Sequence, residues 1–327
     1  MKKFFKIILI TFLVLITLTS VVFFTFKGKI NLCINIAKKY SSLKNNPSSL
    51  YNSSNLDAMD SMDYKDVIYK KTNGTTQTLD IYRAKKNLPK GSPVILYVHG
   101  GSWAYGDKTI PKVIAPLLDS FREEGITVIS TSYELMSGKQ TFKKQISDVK
   151  DTIRWIHKNK DIYSFNTDEI GIFGTSSGAQ LSLIAAYSND SDFKDDETLA
   201  NYPSNVKYII DFFGPTNLKT LNLSLASWDL KKVLNATENK EKILDKYSPI
   251  NYVKKDLPKT LIVHSKLDKI VPYENSVQLY EKSKNLGNNV KLLTLEKSGH
   301  DLSDINKDDV KSLAFEILKF IILNSPI

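Results

Sequence analysis

The rhythm of hydrophobic and polar positions changes twice along this chain. Ile7 to Phe26 is a run of twenty uncharged residues rich in Leu, Ile, Val and Phe, preceded by Lys2, Lys3 and Lys6. At about 1.5 Å per residue in a helix, such a run spans roughly the 30 Å of a bilayer core. From Tyr40 to Asp63 no apolar period is present; Ser and Asn are frequent and Pro47 interrupts the stretch, which reads as a linker. From Val67 onward, short apolar runs alternate with segments whose apolar residues recur every three or four positions.

That last pattern predicts strands alternating with helices. Val67 to Lys70 and Leu79 to Tyr82, around Thr-Asn-Gly-Thr-Thr, read as an opening antiparallel pair. Val94 to Val98 is continuously apolar, as expected of a strand buried on both faces. A helix is predicted over Ile110 to Glu124 and a strand over Thr127 to Thr131. Thr141 to Lys158 then places Phe142, Ile146, Val149, Ile153 and Ile156 on one helical stripe. Strands are predicted at Tyr208 to Phe213, Thr260 to His264 and Val290 to Leu295, with helices at Glu274 to Asn285 and Asp308 to Leu323. The stretch from Thr216 to Asp256 is less regular. It reads as part of a lid or pocket wall, with Leu218, Leu221, Leu223, Leu225 and Trp228 available either to line an acyl site or to close the core. The fold class is therefore α/β, a mostly parallel sheet covered by helices on both faces. Such sheets bind ligands beyond the carboxyl ends of their strands.

Charge changes this picture only at the N-terminus. The net charge of +10 comes largely from residues 1 to 40, which hold seven lysines and no acid, leaving 38 basic against 35 acidic residues elsewhere. The folded part is nearly balanced, so nothing argues for a nucleic-acid partner. The single cysteine, Cys33, excludes an intramolecular disulfide and a cysteine-based metal cluster. We divide the chain into a basic flank (1–6), a transmembrane anchor or signal-like helix (7–26), a linker (27–63) and a catalytic domain (64–327). The run ends in Val-Val-Phe-Phe-Thr-Phe without a small-residue cleavage site, which favours an uncleaved anchor over a cleaved signal peptide. Signal-like placement at the extreme N-terminus points to an extracytoplasmic domain, with secretion after cleavage as the alternative. Oligomeric state is not legible.

The candidate chemistry centres on Glu169 to Ala186. An apolar run leads into Gly174-Thr175-Ser176-Ser177-Gly178 and then into small and apolar residues at helical spacing. This is a strand, a tight turn and a helix carrying G-x-S-x-G, in which glycines let the two elements approach and push the Ser176 hydroxyl outward. A serine needs a base, and the base an orienting group. Of the four histidines, His99 offers its backbone neighbourhood more than its ring, His157 sits beside a helical stripe, and His264 closes a strand as a packed or hydrogen-bonded structural residue. His300, in the turn Lys-Ser-Gly-His-Asp after the last predicted strand, is the candidate base. Asp268, four residues beyond an apolar strand, is the candidate acid, with Asp304 as backup. The segment His99-Gly100-Gly101-Ser102-Trp103 follows a buried strand as an oxyanion loop should. Gly101 and Ser102 are the expected backbone donors, with Ser177 as the third. Nothing calls for a metal or organic cofactor.

On these residues the chain resembles the α/β-hydrolase esterases and lipases, over about residues 66 to 325. The resemblance rests on Leu79-Asp80-Ile81-Tyr82, His99 to Gly106, the serine turn, Asp268 and His300. It implies an α/β-hydrolase fold and hydrolysis of a small carboxylic ester through an acyl-enzyme. Thr175 and Ser177 stand where hormone-sensitive-lipase-like enzymes commonly carry an acidic residue and alanine, and Ser102 replaces their third glycine. These departures move the match toward bacterial esterases with an HGG-x-W loop and leave room for arylformamidase-like or sugar-ester activity. An amidase or peptidase on the same fold, or a tethered binding module without catalysis, are the competing readings.

Overall fold

The computed structural model describes residues 34, 38, 41, 57, 59–72, 74–222, 224–225, 228–300 and 307–324. The apolar run 7–26, most of the linker, Leu223 and Asp304 lie outside them. Among the described residues no helix is long and apolar enough to cross a membrane.

Eight strands form one sheet: β1 (Tyr64–Thr72), β2 (Thr75–Tyr82), β3 (Ser92–Val98), β4 (Thr127–Thr131), β5 (Phe165–Thr175), β6 (Tyr208–Phe212), β7 (Lys259–Ser265) and β8 (Val290–Leu295). Their spatial order is β1-β2-β4-β3-β5-β6-β7-β8. The opening pair is antiparallel as expected, and tighter than the sequence indicated, because Thr72 already pairs with Thr75. β2 runs antiparallel to β4, and every later pairing is parallel.

The helices are α1 (Ala115–Glu123), α2 (Phe142–Lys158), the single turn α3 (Lys160–Tyr163), α4 (Ser177–Tyr187), α5 (Trp228–Asn235), α6 (Lys240–Lys246), α7 (Glu274–Asn285) and α8 (Lys307–Asn324). The alternation along β3 shows how they are held. Val94, Leu96 and Val98 pack on one face with Ile146, Val149 and Ile153 of α2 and Leu181 and Ile184 of α4. Ile95 and Tyr97 pack on the other with Leu118 and Phe121 of α1 and Ile317 and Ile321 of α8. Both faces are dry, so no polar position breaks the strand's sequence.

Two departures from the sequence reading have local causes. The first helix starts at Ala115 rather than Ile110, with Pro116 in its first turn, where the missing amide would have no intrahelical partner. The amides of Ile114 and Ala115 close a turn on the Pro111 carbonyl before the helix begins. The stretch 216–256 is more ordered than expected and holds α5, α6 and two 3₁₀ turns, Leu218–Thr220 and Pro249–Tyr252. Leu218 belongs to the core and Leu221 packs against it, whereas Leu225 and Trp228 are exposed.

One buried ionic group ties the sheet edge to α2. The Lys70 ammonium donates to Asp148 at 2.8 Å and to Asp151 at 2.6 Å. Burial opposes its charge, but the two carboxylates outweigh burial and hold the amine well above the ordinary lysine range.

Candidate active site

The parallel strands β3, β5, β6, β7 and β8 deliver their carboxyl ends to one rim, and the chemistry-bearing residues gather there. β5 ends at Thr175, and Ser176 adopts φ 51° and ψ −121° before α4 begins. This is strained backbone for a residue with a side chain. It is held by the Ser176 amide, which donates to the Phe212 carbonyl at 2.8 Å, and by the Ser176 carbonyl, which accepts from Ala179 and Gln180. The flanking glycines are required by contact. A Cβ on Gly174 would stand 2.5 Å from Ala179 Cα, and one on Gly178 would stand 2.2 Å from the His99 carbonyl oxygen.

His300 and Asp268 arrive from two other strand ends. The Ser176 hydroxyl lies 2.9 Å from His300 Nε2, and His300 Nδ1 lies 2.6 Å from Asp268 Oδ2. A carboxylate only accepts, so Nδ1 carries the proton and Nε2 of the neutral ring accepts from the serine. Asp268 Oδ1 accepts the amides of Ile270 and Val271 at 2.8 and 2.9 Å. Burial alone would push this carboxyl up, yet hydrogen bonds from His264 and His300 outweigh it and hold the group well below the usual carboxylate range. The turn that carries His300 is tied down at Ser298, two residues before it. The Ser265 hydroxyl donates to the Ser298 carbonyl, and the Ser298 hydroxyl donates to Asp309 of α8 at 2.7 Å.

The glycine loop after β3 comes next to Ser176: a Cβ on Gly100 would lie 3.2 Å from Ser176 Cβ. Gly101 (φ 124°), Ser102 (φ 50°) and Trp103 (φ 61°) turn the chain back on itself, and the Gly101 carbonyl accepts from the Ala104 and Tyr105 amides. The His99 ring does not approach the serine. Its Nδ1 donates to the Gly100 carbonyl at 2.7 Å, it stacks on Tyr133, and burial lowers its basicity. Ser177 is buried as the first residue of α4, with its amide at the positive end of that helix.

A cavity of about 500 Å³ opens over these groups. Gly101, Ser102, Ser176 and His300 line it, its walls include Phe212, Phe213 and Ile114, and Leu225 and Ile270 also border it. Of the leucines considered in the sequence, Leu225 alone among the described ones lines this cavity, and Trp228 does not. His157, at the end of α2, does not line it either. Among the described residues no three His, Cys, Asp or Glu side chains come together as metal ligands.

Several supporting residues escaped the sequence reading. Trp103 Nε1 donates to Gln180 Oε1 of α4 at 2.8 Å, Gln180 Nε2 donates to the Tyr247 carbonyl, and Gln145 of α2 donates to the Trp103 carbonyl. These bonds lock the glycine loop to the serine helix. A glutamine inside the otherwise small and apolar α4 was the available signal. His264, read from the sequence as a packed or hydrogen-bonded structural residue, bonds to Asp268 directly.

Comparison with known proteins agrees with this architecture. The model of the BD-FAE family matches residues 79–283, a span that includes Ser176 and Asp268. Esterase LipC of Mycobacterium tuberculosis is 24% identical over 236 residues, covering 70% of this chain and 58% of that protein. Probable carboxylic ester hydrolase LipM of the same organism is 28% identical over 211 residues, covering 62% of this chain and 48% of that protein. The chain thus spans about half the length of the curated relatives it matches. Among solved structures, a truncated form of a carbohydrate esterase from gut microbiota superposes with a TM-score of 0.64 at 26% identity, covering 80% of this chain and 96% of that one.

Proposed function

Because the chain belongs to the BD-FAE family of α/β-hydrolase esterases, we propose that it hydrolyses small carboxylic esters through an acyl-enzyme on Ser176. His300 Nε2 takes the hydroxyl proton as Ser176 attacks the ester carbonyl. The imidazolium that forms sits against the charged Asp268, which fixes the ring's tautomer and offsets its charge. Amides of Gly101, Ser102 and Ser177 receive the developing oxyanion, where fixed donors need no reorganisation. His300 then returns its proton to the departing alcohol, and a water activated by the same ring cleaves the acyl-enzyme. In this reading residues 7–26 tether the chain to a membrane with the hydrolase domain on the extracytoplasmic side, an assignment carried by the sequence alone.

The observation that carries the proposal is the unbroken line from Ser176 through His300 to Asp268, at 2.9 and 2.6 Å, opening into the cavity. The test is release of nitrophenol from p-nitrophenyl acetate by the wild type and by Ser176→Ala. A fall in kcat of roughly 10⁴-fold or more is expected. Equal rates for the two proteins would remove Ser176 as the nucleophile.

A further inference from the structure

We propose that His264 is a positioning residue for this reaction: backed by Ser276, it holds the Asp268 carboxylate in the orientation that His300 requires. The proposal rests on the ester-hydrolase reading above.

His264 is the next-to-last residue of β7 and is completely buried. Its Nε2 lies 3.1 Å from Asp268 Oδ2 and 3.1 Å from the Val271 carbonyl oxygen. Both partners only accept, so Nε2 carries the proton and donates to the two together. Nδ1 of the neutral ring then accepts from the Ser276 hydroxyl of α7, 2.6 Å away and itself buried. Ser276 thereby anchors the ring from the side opposite Asp268, in the tautomer that those two acceptors impose. The rings of Phe213 and Tyr273 stand edge-on to the imidazole at 5.9 and 5.7 Å and fix its plane. The titratable groups facing His264 are Asp268 from the turn after β7 and Tyr273 from the segment leading into α7; His300 reaches it only through the shared carboxylate oxygen.

A residue present only to fill space would not need this arrangement. With His264 in place, Asp268 accepts two amides on Oδ1 and two imidazoles on Oδ2. Its four acceptor sites are all occupied, so the carboxylate cannot rotate away from His300. The same donor draws charge from Oδ2, the oxygen that His300 Nδ1 also bonds. Removing it leaves a more basic carboxylate beside the catalytic ring.

The experiment is the pH dependence of kcat/KM on p-nitrophenyl acetate, with thermal unfolding recorded in parallel, for the full chain as wild type, His264→Leu, His264→Gln and Ser276→Ala. His264→Leu is expected to lower kcat by roughly tenfold or more with KM little changed, and to move the acid limb upward by about half a unit or more. His264→Gln puts an amide N–H near the position of Nε2 and is expected to bring the limb back to its wild-type position with most of kcat. Ser276→Ala removes the anchor on Nδ1 and is expected to move the limb in the same direction by less. An acid limb that stays in place in both His264→Leu and Ser276→Ala, with only the unfolding temperature changed, reduces His264 to packing and overturns the proposal. If His264→Leu does not fold, a wild-type limb in Ser276→Ala overturns it alone. A wild type no faster than Ser176→Ala is a separate outcome: it removes the hydrolase reading itself, and this proposal with it.

Discussion

At the scale of single residues, the rim of this sheet tolerates groups that a packed core ordinarily rejects. Ser176 keeps a positive φ because its backbone is bonded on both sides. Asp211, on β6 beside the serine strand, is completely buried; its Oδ1 accepts the Gly214 amide, and its Oδ2 has no hydrogen-bond partner among the described residues. Burial pushes this carboxyl up to about 8, against the smaller opposing effect of the Gly214 amide. The folded protein therefore binds this proton more tightly than the unfolded chain, whose aspartates titrate near 4. Stability contributed at this position falls as pH rises from about 4 to about 8 and stays low above that. Asp211→Asn keeps the acceptor for Gly214 and carries no ionisable proton. It is expected to raise the unfolding temperature at pH 8 by several degrees and to leave it nearly unchanged at pH 4. An equal shift at both pH values would show that ionisation of Asp211 is not the cause.

At the scale of elements, the candidate active site is a problem of close approach. The serine helix α4 touches the β3 rim through Gly178, where even a methyl group would meet the Val98 and His99 carbonyls at 2.3 and 2.2 Å. Backbone on both sides leaves no flexible atom to give way. Gly178→Ala is thus expected to push α4 away from the glycine loop, at a cost of about 1 to 3 kcal/mol. It should also lower kcat by roughly 100-fold, since an ångström of misplacement carries that penalty. Unfolding midpoints and ester turnover measured on the same preparation check both; wild-type turnover would mean that the loop and helix can separate without harm. The glycines at 174, 178, 100 and 101 were legible because their spacing already implied tight turns. The Trp103–Gln180 bond was not, because its partners lie far apart in the chain and meet only once α4 has docked on the loop. The partners of His264 were hidden for the same reason. Its place at a strand end was visible, but the partners of its two nitrogens come from a turn and a helix that fold back over it.

At the scale of the whole molecule, the strand ends, the segment from His99 to Ile114 and the turn carrying His300 border a cavity of about 500 Å³, a size suited to small ligands, to which the described residues of the stretch 216–256 add only Leu225. Leu225 is half exposed, so its truncation should leave the fold intact. Leu225→Ala is expected to change kcat/KM for butyryl against acetyl nitrophenyl esters by roughly 3- to 10-fold, through KM, with acetyl turnover unchanged. A constant ratio across the ester panel would place the acyl chain elsewhere. The amino-acid sequence by itself determined the strand and helix alternation, the serine turn, the glycine loop and the order Ser176, Asp268, His300. Each of these is a local pattern, written in hydrophobic period and in glycine spacing. Only the tertiary structure decided that Leu218 belongs to the core while Leu225 borders the cavity, that His99 stacks on Tyr133 away from the serine, and that Asp268 is shared by two histidines. Those outcomes depend on which segments cross at the carboxyl ends of the strands, and the sequence records such crossings only through contacts between distant residues.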